Sequence, residues 1–510
     1  MNLKIPKEIK EISGKLIKNG HETYLVGGCV RDLLRRAVHG ELVEPKDWDI
    51  ATDATPKEIQ KIFPESVYEN EFGTVGVKTE SKDEKLKVVE VTTFRLEGNY
   101  SDKRHPDKVE IAKTIEEDLA RRDFTVNAMA LDLKSQIPNP KFQTNSKFKI
   151  QNLKLDIVDP YGGMTDLKKK IMKTVGEPDK RFEEDALRLI RAVRFAVELG
   201  FEIDHATLKA VKDQAGLLEM IAKERIRDEL TKIIMAPRAA EGIILLEDTG
   251  LLRFILPELR EGIGCGQNKH HIYTVFDHNV RALNYAVERK YSLEVRLAAL
   301  FHDIGKPRSK RGDGPDSTFH GHEVVGARMA VKFLDRLRFS KEIIEKVIHL
   351  IRYHMFYYNV GDVSAAGVRR FLARVGPENV NDIMKVREAD RIGSNVPKAF
   401  PYKLRHLLFM IEKVKHDPIH PKMLKVRGDD VMKILKTGAG PKIGKILGVL
   451  LEEVLDDPKK NNKEYLEKRV LDLGGLSEKV LGELAEKARE TKEEFESGVE
   501  EGMKKKYFVK

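Results

Sequence analysis

Two stretches close to the N-terminus hold residues able to do chemistry on phosphates. Tyr24-Leu25-Val26-Gly27-Gly28-Cys29-Val30-Arg31-Asp32 runs from an apolar segment into two glycines and an arginine, and Lys46-Asp47-Trp48-Asp49-Ile50 follows. Paired glycines let backbone N–H groups approach a phosphate closely, and a helix beginning near Val30 adds its positive end. Arg31 then supplies charge-assisted hydrogen bonds. In a strand, residues i and i+2 share a face, so Asp47 and Asp49 fall together while Trp48 and Ile50 bury behind them. Neighbouring carboxylates repel unless cations sit between them, and oxygen ligands suit Mg²⁺. Two such ions serve phosphoryl or nucleotidyl transfer. Gly-Gly before a surface arginine is commonly a plain turn, and Asp-x-Asp is common on solvated edges. The coupling of the two favours the metal-and-phosphate reading.

Further candidates lie downstream. Glu90, on a strand expected over residues 88–94, is either a third carboxylate for two metals or a solvent-facing strand residue. Arg122, Asp123 and Asn127 cluster after a short helix, where Asp and Asn suit ribose hydroxyls or else a helix cap and turn. Phe182, Ala186, Leu189, Ile190, Val193, Ala196 and Val197 form an apolar stripe that predicts one helix over residues 182–200. Asp185, Arg188, Arg191 and Arg194 step by three along another face, which read alone is a solvated ladder of ion pairs. A second concentration of chemistry begins at His278 and includes His302-Asp303, His320, His322, His349, His354 and Asp390. A lone helical histidine is usually a core residue, but an adjacent His-Asp pair ending an apolar helix can reach one ion. Mixed imidazole and carboxylate donors suit Mg²⁺, Mn²⁺, Ni²⁺, Co²⁺ or Fe rather than a structural zinc.

The elements that must position these residues change character along the chain. Residues 22–94 alternate strand and helix signals, and Thr55-Pro56-Lys57-Glu58 reads as a capping box with proline at the first helical position. From about residue 161 onward the periodicity is almost wholly helical. Residues 37–45 and the polar 134–154 look inserted, and turn residues at 262–266 and 395–401 mark further boundaries. At 510 residues the chain exceeds one core and implies roughly three or four domains. Lys plus Arg (92) exceed Asp plus Glu (82), a modest pointer to a polyanionic partner. Cys29 and Cys265 are the only cysteines, which excludes a disulfide framework and a zinc finger. Without an apolar leader or a membrane-length apolar run, a cytoplasmic protein with no membrane partner is expected. Oligomeric state is left open.

Val26-Gly27-Gly28-Cys29-Val30-Arg31-Asp32, Asp47-Trp48-Asp49-Ile50-Ala51-Thr52-Asp53-Ala54-Thr55-Pro56 and Arg121-Arg122-Asp123-Phe124-Thr125-Val126-Asn127-Ala128-Met129 resemble the class II tRNA nucleotidyltransferases (CCA-adding) and bacterial poly(A) polymerases. Asp159-Pro160-Tyr161-Gly162-Gly163, Glu184-Asp185-Ala186-Leu187-Arg188 and Glu224-Arg225-Ile226-Arg227-Asp228-Glu229 continue the same order, so the resemblance covers residues 20–235. It implies an α+β multidomain fold: a polymerase-beta-like mixed-sheet palm over residues 1–160, a helical neck over 161–262, and an all-α body. Asp47, Asp49 and Glu90 would be catalytic, with Mg²⁺ on Asp47 and Asp49. Nucleotide would be held by Gly27, Gly28, Arg31, Arg122, Asp123, Asn127, Asp185, Arg188, Arg191 and Arg194. Among these, Asp185 and Arg188 would read the base edge of CTP or ATP, the carboxylate accepting from the exocyclic amine and the guanidinium donating to ring acceptors. Arg191 and Arg194 suit phosphate, tRNA or packing. The acceptor would be tRNA.

Residues 95–117, with Tyr100, Asp102, Arg104 and Pro106, resemble the family's flexible loop for A addition, but His105 stands where a second arginine is expected. The presence of the loop favours full CCA or A-only addition over CC-only addition, and His105 leaves the switch between C and A open. Residues 71–77 lack the basic stretch associated with the poly(A) polymerase branch. Phe276-Asp277-His278, His302-Asp303-Ile304-Gly305-Lys306 and Arg387-Glu388-Ala389-Asp390 resemble an HD phosphohydrolase domain, placed over residues 263–398. That resemblance makes His278, His302, Asp303 and Asp390 ligands for Mg²⁺, Mn²⁺, Ni²⁺ or another divalent transition metal, with His322 and His354 further ligands or substrate contacts. It implies removal of terminal phosphates or opening of 2′,3′-cyclic phosphates, or else a degenerate structural site. An HD hydrolase with a vestigial head would require a broken Asp-x-Asp, and Asp47 and Asp49 are intact. Residues 399–510 would be a helical tRNA-binding region.

Overall fold

The computed structural model describes residues 4–41, 43–68, 73–98, 109–134, 148–150, 153–268, 272–486 and 488. The chain forms two compact units, Met1–Pro257 and Glu258–Lys510.

The first unit is built on a seven-stranded mixed sheet. Its strands are β1 (Thr23–Val26), β2 (Asp49–Thr52), β3 (Ser66–Tyr68), β4 (Thr74–Lys78), β5 (Val88–Thr93), β6 (Ala130–Asp132) and β7 (Ile157–Val158), in the order β7-β6-β1-β2-β5-β4-β3. All neighbours are antiparallel except β2 and β5. β1 is buried along its length, as its central place requires. β5 shows the expected alternation, with Val89 and Val91 buried and Glu90 exposed. The register sets Val26 opposite Asp49 and Asp49 opposite Glu90, so the two acidic residues hold paired positions on adjacent strands. The predicted capping box closes as expected at Thr55 and Glu58.

Three local expectations are corrected. β2 begins at Asp49, and Asp47 sits in the bend before it rather than on the strand. Helix α1 (Gly28–His39) starts at Gly28 and runs through residues 37–39, closed by Gly40 at φ 67°, so the supposed insertion is partly the last turn of this helix. The single helix expected over residues 182–200 is two, α2 (Pro178–Glu184) and α3 (Leu187–Leu199). Asp185 breaks them at φ −137°, ψ 104°, because its carboxylate accepts from the Leu187 N–H at 3.0 Å and so opens a new first turn. Helix α4 (Lys223–Met235) packs against α3.

The second unit is helical. Its first part holds α5 (Val275–Glu288), α6 (Leu293–Phe301), α7 (His322–Arg336), α8 (Lys341–Tyr353) and α9 (Val380–Gly393). Buried Ala282, Ala286, Ala299 and Ala389 let α5, α6 and α9 approach closely. Gly305 is needed where the chain leaves α6, since a Cβ there would lie 2.2 Å from His322 O and 2.5 Å from Gly326 N. Beyond it, α10 (Tyr402–Val414) precedes helices Gly428–Leu435, Pro441–Asp456 and Lys463–Gly474, which close on a core including Val431, Ile446, Leu450, Leu466 and Val470. Among the described residues no helix is long and apolar enough to cross a membrane.

Candidate functional site

In the first unit the chemistry gathers around one turn. Gly27 caps α1 at φ 75°, and a Cβ there would come within 2.9 Å of Arg122 Nη1 and 3.5 Å of Asp49 Oδ2. Three stretches far apart in the chain thus meet at a point where only glycine fits. Gly28 is less constrained; its Cβ would meet Arg31 Nη2 at an ordinary 3.6 Å. Arg122 is anchored by Asp118 Oδ2 at 3.3 Å, and its buried Nε has no hydrogen-bond partner among the described residues. Burial raises the Asp49 pKa above its ordinary value; Arg122 opposes the shift and the charge of Asp47 adds to it. A carboxylate whose ionisation is disfavoured by burial and by a neighbouring negative charge is what a divalent cation relieves, so the donor set fits Mg²⁺. Cys29 lies behind the turn, its thiol donating to Val26 O at 3.2 Å, and burial followed by the Asp49 charge pushes it up to about 12. It is a packing residue, not a nucleophile.

From this turn a chain of charged and polar side chains runs into the helices. Arg31 donates to Asp32 Oδ1 (3.0 Å) and Asn127 Oδ1 (2.7 Å), and Asn127 Nδ2 donates to Asp123 Oδ1 (3.1 Å). Arg191 Nε reaches Asp123 Oδ2 at 2.8 Å. Burial alone would raise the Asp123 pKa, but the Arg191 guanidinium beside it holds the carboxyl well below the usual range. Arg194 donates to Glu229 Oε2 (2.8 Å) and Glu198 Oε2 (3.0 Å), with its guanidinium 3.4 Å from the Phe195 ring centroid. Lys46, next to Asp47, donates to Glu198 Oε1 at 2.8 Å.

The solvated ladder along residues 185–194 is therefore not what forms. Asp185 pairs with Arg225 of α4 at 2.9 and 3.3 Å, and Arg188 with Glu184 at 2.6 Å and with the carbonyls of Arg181 and Arg121. Each charged group found a partner on another element or across the break at Asp185, and only Arg194 also pairs along its own helix, with Glu198. Arg225 and Glu229 were present in the quoted Glu224–Glu229 motif, but spacing alone assigned them no partner. Tyr100, Asp102, Arg104, His105 and Pro106 lie outside the described residues.

The second unit holds a separate centre. His278, His302, Asp303 and Asp390 bring their ligand atoms together, each buried. His278 Nε2 lies 2.8 Å from His302 Nε2, 3.1 Å from Asp303 Oδ2 and 3.5 Å from Asp390 Oδ1. Asp303 is shared with a second buried group: its Oδ1 is 3.1 Å from His322 Nε2 and 3.7 Å from His354 Nε2. The far nitrogens are occupied, since Nδ1 of His302, His322 and His354 donate to the carbonyls of Ala299 (2.8 Å), Phe319 (2.8 Å) and Ile351 (2.7 Å). That leaves each Nε2 with its lone pair inward, the tautomer a metal needs. Facing lone pairs require a cation between them. With no metal there, a proton can be that cation: burial lowers the affinity of His302 for a proton, yet Asp303 and Asp390 outweigh it and raise its pKa to about 10. His354 goes the other way, held well below its ordinary value first by burial and then by its histidine neighbours. Asp303 Oδ2 is buried without a well-aligned hydrogen bond, although Lys306 Nζ approaches to 2.5 Å. The donors fit divalent metal ions. Reading by type passed over two cations: Lys306, which also donates to Gln267 Oε1 at 2.7 Å, and Arg387, which donates to Asp390 Oδ2 at 2.6 Å. His349 is a half-buried histidine outside both clusters, paired with Val375 O at 2.6 Å.

Three family models match in order: the poly A polymerase head domain over residues 23–173, the probable RNA and SrmB-binding site of polymerase A over 200–263, and the HD domain over 275–395. The chain is 34% identical to the A-adding tRNA nucleotidyltransferase of Deinococcus radiodurans over 442 residues, covering 84% of this chain and 90% of that one. It belongs to the tRNA nucleotidyltransferase and poly(A) polymerase family. Members of this family similar to it include the CCA-adding enzyme of Enterococcus faecalis, 30% identical over 477 residues that cover 91% of this chain and 95% of that one. Among solved structures, the Bacillus stearothermophilus CCA-adding enzyme in complex with CTP is similar at a TM-score of 0.65 and 27% identity, covering 91% of this chain and 96% of that one. The Thermotoga maritima CCA-adding enzyme complexed with tRNA shares the fold at a TM-score of 0.53 and 19% identity, covering 93% and 96%. The expected architecture, a mixed-sheet head followed by a helical body with an HD domain, is the one found.

Proposed function

We propose that this family member extends the 3′ end of tRNA with CCA from CTP and ATP, without a nucleic-acid template, and acts in the cytoplasm. The observation that carries the reading is the meeting of Gly27, Asp49 and Arg122 at one turn, with Glu90 in register beside Asp49. Mg²⁺, held by Asp47 and Asp49, would supply activation of the terminal hydroxyl and neutralisation of triphosphate charge. The bond formed joins the tRNA 3′ oxygen to the nucleotide α-phosphorus, the bond broken releases pyrophosphate, and the hydroxyl proton leaves to water. Backbone N–H groups after Gly27 and the Arg122 guanidinium meet phosphate, while Arg31 holds Asn127 and Asp123 for the sugar. Asp185 and Arg188 are fixed in place by Arg225 and Glu184, an arrangement suited to reading a base edge without reorganising. Glu90 completes the acidic set, Arg191 orients Asp123, and Arg194 packs between Glu198 and Glu229. A-only addition is the second reading, favoured by the likeness to the Deinococcus radiodurans enzyme.

The test extends tRNA transcripts ending before CCA, after C and after CC with each labelled nucleotide and Mg²⁺. Stepwise use of CTP then ATP supports full CCA addition. ATP use on the CC end alone selects the second reading, and undiminished incorporation by Asp47→Ala defeats the catalytic assignment. For the HD centre we propose metal-dependent hydrolysis of terminal or 2′,3′-cyclic phosphates, with Mg²⁺, Mn²⁺, Ni²⁺ or a similar ion on His278, His302, Asp303 and Asp390. Unchanged 2′,3′-cyclic AMP hydrolysis by His302→Ala/Asp303→Ala would overturn it.

A further inference from the structure

Helix α10 presents a face that neither centre uses. Leu404, Leu407 and Val414 bury one side of it. On the other side Tyr402 and Phe409 are 60% and 62% exposed, and Phe400 just ahead of the helix is exposed as well. His406 lies between them, its ring centroid 5.9 Å from that of Tyr402 and 6.0 Å from that of Phe409. The middle ring is held from behind, with Tyr358 Oη 2.5 Å from His406 Nδ1. Three rings therefore form a continuous row along one helix face.

The row is set in positive charge. Lys398, Lys403, Arg405 and Lys413 are all exposed, and the Arg405 guanidinium sits 5.9 Å from the Tyr402 ring. Glu412 is the one acidic residue in residues 398–413, and it is paired with Lys415. A face that docks a protein core is depleted in lysine and rich in apolar contact. Aromatic rings flanked by a cation surplus instead match the two surfaces of an unpaired nucleotide, a π-face and a phosphate.

We propose that this face of α10 is a stacking platform for unpaired RNA nucleotides. Tyr402, His406 and Phe409 carry the bases, and Lys398, Lys403, Arg405 and Lys413 meet the phosphates. The choice of RNA rests on the tRNA-end reading above; the platform chemistry does not.

The experiment measures fluorescence anisotropy of the full-length protein with two labelled probes, a tRNA transcript lacking CCA and a short oligouridylate, each at two salt concentrations. Tyr402→Ala/Phe409→Ala is expected to weaken both by about tenfold or more. Tyr402→Trp/Phe409→Trp restores the affinity, and Tyr402→Leu/Phe409→Leu does not, because leucine keeps apolar area but offers no ring. Lys403→Ala/Arg405→Ala lowers the salt dependence. Wild-type affinity in the alanine or leucine pair overturns the proposal. So does an oligomer, seen by light scattering, that the alanine pair dissolves without changing RNA affinity, since the face then belongs to a second copy. Failure of the tRNA-end reading registers separately, as wild-type protein that incorporates neither CTP nor ATP.

Discussion

Gly27→Ala adds one methyl group where the glycine turn, the Asp49 carboxylate and Arg122 meet, and its consequences can be worked from the geometry. The new Cβ stands 2.9 Å from Arg122 Nη1 and 3.5 Å from Asp49 Oδ2. Arg122 must withdraw by roughly half an ångström to regain van der Waals distance. The backbone holds φ 75° and ψ −136°, a region closed to residues with a Cβ, at a cost of about 1–3 kcal/mol. For a unit of this size that corresponds to a fall in Tm of roughly 4–8 °C at 2 kcal/mol. A displacement of about 1 Å near reacting groups costs about 10²-fold, so the smaller shift here predicts a loss of roughly tenfold or more in kcat. Gly28→Ala is the matched control for strain: it begins α1, meets no protein atom closer than 3.6 Å, and should melt like the wild type. Thermal melts with single-turnover CTP and ATP incorporation read both effects. If the two variants melt and turn over alike, the assignment of this turn is wrong.

Other expectations concern charge, close packing and metal. Burial would raise the Glu198 pKa, yet hydrogen bonds from Lys46 and Arg194 lower it from 4.5 to about 2, so its stabilisation is present above pH 4.5 and is lost as pH falls toward 2. The Tm gap between wild type and Glu198→Gln should accordingly close over that window; a gap that stays constant contradicts the network. Gly305→Ala drives a methyl group into backbone atoms of His322 and Gly326, which cannot retreat as a side-chain tip can, and should destabilise by about 3 kcal/mol or more in denaturant titrations. Mn²⁺ or Ni²⁺ should raise the Tm of the HD-containing unit, by about 2.7 kcal/mol in stability at a hundredfold excess over Kd, and chelator should reverse it. Asp303→Ala should abolish that response, and a response that survives would place the metal elsewhere.

Features set by near neighbours were readable from residue order. The capping box at Thr55 depends on Thr55 and Glu58 alone, and the alternation of β5 depends on a two-residue period that puts Glu90 out and Val89 and Val91 in. The candidate groups were readable for the same reason: Gly27-Gly28, Asp47-x-Asp49 and His302-Asp303 stand out by type and short spacing. Where a helix ended was harder. Apolar periodicity runs unbroken through residues 182–200, while the break at Asp185 comes from a carboxylate preferring the Leu187 N–H and Arg225 to a helical turn.

Residue order alone thus determined which kinds of group are present and which lie on one strand or helix, because those relations follow from covalent geometry and local hydrogen bonding. Partner choice belonged to the tertiary structure. Arg191 met Asp123 rather than a neighbour on its own helix, and Asp303 turned one oxygen to His278 and His302 and the other to His322 and His354. Burial leaves each of these ions needing a counter-charge, and which one lies within reach is decided only when distant elements pack.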